Sequence, residues 1–219
     1  MDLQLTHQHV LITGGSKGIG LACAQAFLQE GAKVSLVSRD TANLDKARQS
    51  LQTQFAAESI HTVAADLRDP QAALAALNSA EAAFGPVDVL VNSAGAAKRT
   101  PAPELTPEAW QDAMQAKYFT YIHMINPSIQ RMAARGQGAV VNVVGNGGKV
   151  ASPIHLPGGA ANAALMLASA GLAAAYGLQG IRVNAINPGL TRTDRLQEGM
   201  VADARNQGIS TEQAMAQAV

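Results

Sequence analysis

The first residues whose types and spacing could do chemistry are Thr13-Gly14-Gly15-Ser16-Lys17-Gly18-Ile19-Gly20. Glycines at this density let backbone N–H groups close on an anion. A helix beginning near Ile19 would aim the positive end of its dipole at the same point. The expectation is a phosphate-binding turn; the plain alternative is a tight turn with no ligand. Further along the chain stand Lys98, Arg99, Lys117, Lys149, Arg192 and Arg195. Unless they are solvated charges, they imply an anionic small-molecule ligand, a carboxylate or an acyl-CoA. No metal is expected: His7 and His9 would share one strand face, but no third ligand follows. Cys23, on the first helix, has nothing nearby to make its thiol reactive.

These residues need elements to hold them. Short β-branched runs at 10–13, 33–38, 60–64, 87–92, 139–144 and 181–187 read as parallel strands covered on both faces. Helix-period stretches at 19–29, 41–57, 70–84, 107–135 (with a bend near Pro127) and 158–178 separate them. Strict alternation predicts a Rossmann-type α/β fold: a doubly wound parallel sheet flanked by helices on both faces. No linker or repeat divides the chain, so residues 1–219 read as one domain. The 158–178 helix carries small residues all round its circumference. With 107–135 it predicts a homodimer or homotetramer interface.

Composition narrows the function. The chain has 219 residues, 16 basic and 16 acidic side chains, 47 % hydrophobic and 15 % charged residues. A disordered chain is excluded, and zero net charge argues against a nucleic-acid coat. A single cysteine points to a reducing compartment. No signal peptide is visible, and the longest apolar stretch, 160–175, is interrupted by Asn162, Ser169 and Gly171. The expectation is a cytoplasmic protein that engages no membrane.

Motifs in order give a more specific reading. Thr13-Gly14-x3-Gly18-x-Gly20 resembles the cofactor fingerprint of the classical short-chain dehydrogenase/reductase family. Asp66-Leu67, Asn92-Ser93-Ala94-Gly95, Ile181-Arg182-Val183-Asn184 and Pro188-Gly189-x3-Thr193 resemble later signatures of that family. The resemblance implies a nicotinamide cofactor. It would be held by Thr13, Gly14, Ser16, Lys17, Gly18, Ile19, Gly20, Ser38, Arg39, Asp66, Leu67, Asn92, Ala94, Gly95, Pro188, Gly189, Thr191 and Thr193. It also implies an adenine contact from Asp66. In NAD enzymes of this type a carboxylate ends the second strand; here Ser38 stands in its place, with Arg39 next to it and Lys17 in the glycine turn. Two cations favour NADP(H), with Asp40 read as a helix N-cap.

The resemblance also implies catalysis by serine, tyrosine, lysine and asparagine. Aligning the fifth-strand pattern puts Gly145 at the serine position, Gly158 at the tyrosine and Asn162 at the lysine; Lys117 takes the asparagine position. No Tyr-x3-Lys exists anywhere in the chain. Substitute proton donors are His155, whose imidazole titrates near working pH, and Lys117. Three readings follow: an atypical NADP(H)-dependent oxidoreductase acting on a small carbonyl or hydroxyl compound, an inactive NADP(H)-binding sensor or regulatory subunit, or a lyase or isomerase without net redox. Relatives continue to a seventh strand, which this sequence lacks, so the C-terminal part reads as incomplete, with a substrate loop from about residue 190 and a polar stretch at 206–219.

Overall fold

The computed structural model describes residues 2–95, 98–191 and 193–218. The strands are β1 (His9–Thr13), β2 (Lys33–Ser38), β3 (Ile60–Ala64), β4 (Val89–Asn92), β5 (Gly138–Val143) and β6 (Ile181–Ile186). All pair in parallel in the order β3-β2-β1-β4-β5-β6. The order reverses between β1 and β4, the crossover at which sheets of this kind bind ligands.

Strand alternation divides the core into two layers. Val10 and Ile12 of β1, with Val34 and Leu36 of β2, pack under helices α1 (Gly18–Gln29) and α2 (Thr41–Gln52). Leu11, Leu90 and Val140 face the opposite layer. There they meet α3 (Pro70–Phe84), α5 (Thr120–Arg135) and α6 (Leu156–Tyr176) through Leu77, Ile129 and Leu165. Local chemistry starts these helices. Asp40 accepts from Asn43 N, Asp69 accepts from Gln71 N with Pro70 in the first turn, and Thr106 accepts from Ala109 N ahead of α4 (Pro107–Ala113).

The predicted 107–135 helix is less regular than its sequence suggests, and its irregular part is not at Pro127. The helix runs through that proline; a π-helical segment, Met114–Phe119, lies earlier, between α4 and α5. Two further helices, α7 (Asp194–Gln207) and α8 (Thr211–Ala218), follow β6. Among the described residues β6 pairs only with β5.

Two expectations need correction. His7 does not share a strand face with His9: it precedes β1, at φ +65°, while His9 is buried within it. And one helical stretch does reach the length and composition of a bilayer span, Leu156–Gln179, with mean hydropathy 1.4. Its alanines and leucines outweigh the polar interruptions, and Asn162 and Ser169 are turned inward, both buried.

Candidate active site

The glycine turn joins β1 to α1 and closes on itself. A Cβ on Gly20 would lie 2.3 Å from the Gly14 carbonyl oxygen, so no side chain fits there. Lys17 occupies the N-cap of α1 without a side-chain capping bond, and no acidic residue lies in the first turn. The amides at this helix start are therefore directed at whatever anion approaches. Ser16 Oγ donates to Ser38 Oγ at 3.0 Å, which ties the turn to the end of β2. Lys17 and Arg39 flank this bond, both exposed, while Asp40 is engaged in capping α2. The set fits a phosphate beside Ser38, and a dinucleotide pyrophosphate over Gly18 and Ile19. Thr193 lies over the turn, its Cγ2 3.2 Å from where a Cβ on Gly18 would stand.

The remaining predicted contacts gather at the same strand ends. Asp66 is held by Arg68, whose Nη2 lies 2.6 Å from Oδ2. This hydrogen bond, with smaller help from Arg39, keeps the Asp66 carboxyl below its usual range. Next to it Leu67 is buried, and its carbonyl accepts from His123 Nδ1. Asn92 and the backbone N–H of Ala94 belong to a file of hydrogen-bonded polar groups. Ala94 N donates to Thr13 Oγ1, Thr13 to Asn92 Oδ1, Asn92 Nδ2 to Asn142 Oδ1, Asn142 Nδ2 to Ser169 Oγ, and Ser169 to the Leu165 carbonyl. Burial leaves such groups dependent on one another for their bonds. Gly95 presses on the π-helical segment, the position of its missing Cβ lying 3.2 Å from Lys117 Cα. The Pro188 carbonyl accepts from Asn146 N, which places Pro188 beside the loop after β5, and Thr191 Oγ1 donates to the Gly189 carbonyl.

That loop carries the candidate chemistry. Lys117, 8 % exposed, points from the π-helical segment so that Nζ donates to the Tyr121 hydroxyl at 2.9 Å and to the Val143 carbonyl at 3.1 Å. Tyr121 in turn donates to the same carbonyl at 2.6 Å. Two residues beyond Val143, Gly145 adopts φ +113°, a conformation closed to ordinary L-residues. Asn162 of α6 approaches it, with Nδ2 3.4 Å from where a Cβ on Gly145 would stand. His155 is the N-cap residue of α6; its ring lies against Gly147, with Cδ2 3.2 Å from the corresponding position. Gly158, in the first turn of α6, is buried.

The structure thus brings His155, Asn162 and Gly145 together, with Lys117 on the adjoining wall. The side chains of four of the six cations lie among the described residues, and these four stand in different settings. Arg99 is bonded to Asp203 of α7 at 2.8 Å, Lys117 is buried, and Lys98 and Lys149 are exposed. Arg192 and the side chain of Arg195 lie outside the described residues. Tyr121 is the partner that sequence reasoning missed. The signal was present in Lys117-x3-Tyr121, a spacing that puts both side chains on one helical face.

Comparison with known proteins gives consistent matches. Residues 8–202 match the family described as short chain dehydrogenase. Gluconate 5-dehydrogenase of Gluconobacter oxydans (strain 621H) is 31 % identical over 201 residues, which are 91 % of this chain and 77 % of that protein. The L-sorbose reductase of Gluconobacter frateurii, solved with NADPH and L-sorbose, superposes with TM-score 0.87 at 31 % identity, covering 97 % of this chain and 80 % of that one. An NADPH-bound short chain oxidoreductase of Pseudomonas aeruginosa PAO1, described as containing an atypical catalytic center, gives TM-score 0.84 at 29 % identity, covering 92 % and 81 %.

Proposed function

The chain belongs to the short-chain dehydrogenase family, a family of oxidoreductases, and from that premise we propose an NADP(H)-dependent enzyme that interconverts the carbonyl and hydroxyl forms of a small polyhydroxylated compound through a non-standard proton-transfer site. The observation that carries the cofactor half is the end of β2: Ser38 bonded to Ser16, with Lys17 and Arg39 flanking it and Asp40 turned away to cap α2. A carboxylate there would repel a 2′-phosphate; two cations attract it.

NADP(H), when bound, supplies or accepts the hydride. Thr13, Gly14, Gly18, Ile19 and Gly20 would hold the pyrophosphate, and Ser16, Lys17, Ser38 and Arg39 would hold the 2′-phosphate. Asp66 and Leu67 would contact the adenine, Asn92, Ala94 and Gly95 the ribose, and Pro188, Gly189, Thr191 and Thr193 the nicotinamide part. In the reducing direction the substrate oxygen takes a proton from His155, and solvent replaces it. Lys117, buried beside the cleft, stabilises negative charge on that oxygen. Gly145, Gly158 and Asn162 stand where the family resemblance places serine, tyrosine and lysine, so neither a serine nor a tyrosine hydroxyl takes part.

The engagement of Arg99 by Asp203 weakens the anionic-substrate reading and leaves uncharged polyols as the better fit, in keeping with the sorbose, threitol and galactitol enzymes among the relatives. We read 1–219 as one NADP-binding domain acting in the cytoplasm as a homo-oligomer through the 107–135 and 158–178 helices. The exposure of Leu167 and Leu178 on and just beyond α6 supports that assembly.

The test is an NADPH titration followed by turnover across polyols, ketoses and simple ketones. Saturable binding with substrate-dependent oxidation is the expected result. Saturable binding without turnover of any substrate would favour a regulatory NADP(H)-binding subunit instead, a reading that the glycines at 145 and 158 support.

A further inference from the structure

Asn162 is 5 % exposed, and among the described residues no donor reaches its Oδ1. A buried acceptor left without a partner costs about 1–3 kcal/mol, and a carboxamide has donor and acceptor capacity to offer. The surroundings show where that capacity is used. Among the described residues other than the adjoining Val144 and Asn146, only Asn162 comes within 4 Å of the position of a Cβ on Gly145, so the space beside the amide is open on that side. Around Gly147 the corresponding position has Asn162 Nδ2 at 3.6 Å and His155 Nε2 at 3.7 Å. Carboxamide and imidazole thus flank a single point, within reach of neighbouring oxygens on one small molecule. The torsion that orients a carboxamide is broad and roughly two-fold, so Oδ1 can turn to the open side without leaving a rotamer well.

We propose that Asn162 is the specificity residue of this cleft: its carboxamide binds the hydroxyl on the carbon next to the reacting one, while His155 faces the reacting oxygen. The substrate class is therefore an α-hydroxyketone in one direction and a vicinal diol in the other. A hydroxyl matches a carboxamide in both senses, donating to Oδ1 and accepting from Nδ2. A site built this way rejects an analogue without the hydroxyl, because the amide is then buried without its partner. The protein without ligand carries that same unmet acceptor, so function is gained at the expense of stability in the free state. This inference rests on the oxidoreductase reading above and names its substrate class.

The experiment compares 3-hydroxybutan-2-one with butan-2-one as substrates for the wild-type enzyme and Asn162→Ala, with NADPH affinity and thermal midpoint measured in parallel. The wild type should prefer the hydroxyketone by about 10²-fold or more in kcat/KM. Asn162→Ala should lose most of that preference, chiefly on the hydroxyketone, with a free-state midpoint equal to or above the wild-type value. Should neither ketone turn over, the rise in midpoint on adding the hydroxyketone to the NADP⁺ complex reads the same contact: present in wild type, absent in the variant. A preference or midpoint rise that survives in Asn162→Ala overturns the proposal, as does a wild type that distinguishes the two ketones by neither measure. A loss confined to NADPH affinity overturns it too and assigns the amide to a cofactor hydroxyl. Failure of the wild type to bind NADPH would instead remove the oxidoreductase reading.

Discussion

Lys117 Nζ and the Tyr121 hydroxyl lie 2.9 Å apart and share one acceptor, the Val143 carbonyl. The ammonium also sits 4.6 Å from the centre of the Tyr121 ring. A cation in a site this dry is held by oriented dipoles and by the ring face. Replacing Lys117 with Met removes the desolvated charge and keeps the volume. The expected outcome is an unchanged or raised melting temperature together with a fall in kcat of about 10²-fold. Tyr121→Phe should lower the melting temperature, since it deletes a buried bond worth about 1 kcal/mol. Thermal melts and steady-state kinetics on both variants check this.

Cofactor choice should follow charge at the end of β2. Arg39→Asp removes one charge-assisted hydrogen bond to a 2′-phosphate, worth about 1.5–3 kcal/mol, and adds repulsion. NADPH affinity should drop by at least about 10-fold while NADH affinity holds or rises, as read by fluorescence titration of each dinucleotide.

Gly145 sits at φ +113°, so a serine introduced at this position would do more than supply a hydroxyl. Gly145→Ser should cost about 1–3 kcal/mol in strain. The triple variant Gly145→Ser, Gly158→Tyr, Asn162→Lys is expected to unfold more readily than the parent, and chemical denaturation of the single and triple variants measures how much more.

His9 gives the pH dependence. Burial lowers its pKa from the ordinary value of 6.5, outweighing the hydrogen bond to the Gly85 carbonyl and the nearby Asp88, which act the other way. The Gly85 carbonyl can only accept, so Nδ1 carries the proton and Nε2 accepts from Ser35. His61, beside the Phe84 ring, is lowered in the same direction by burial and by Arg48. Below pH 6.5 the unfolded chain takes up protons that the folded one refuses, so stability is whole above that pH and declines as pH falls below it. Melting temperature followed from mildly alkaline to mildly acidic pH should show this slope, and His9→Gln should flatten it.

The latch between Arg99 and Asp203 joins the loop after β4 to α7, with Arg205 and Glu104 paired beside it. Arg99→Ala should free α7, raising KM more than it lowers kcat and hastening proteolysis within Asp194–Gln207.

The sheet was legible in the sequence because the strands are short runs rich in β-branched residues between helix-period segments, and parallel strands leave few other topologies. The glycine turn and the Asp40 cap were legible for a similar reason: local geometry alone demands those residue types. The spacing of Lys117 and Tyr121 showed that they share a helical face but not that this face is buried, because the π-helical segment that carries Lys117 leaves no mark in composition. The shape of the cleft was also hidden. The sequence shows a glycine at position 145, but not a backbone rotated there to φ +113°.

The polar file from Ala94 to Leu165 runs with every donor pointing the same way along it. Such a chain has a polarity, like a zip that closes in one sense only. Turning one amide around would set donor against donor at one end and acceptor against acceptor at the other. Thr13, Asn92, Asn142 and Ser169 therefore form one unit of inheritance, although they stand on three strands and a helix. A chimera that takes β4 and β5 from one relative and α6 from another would have to carry Asn142 and Ser169 across together.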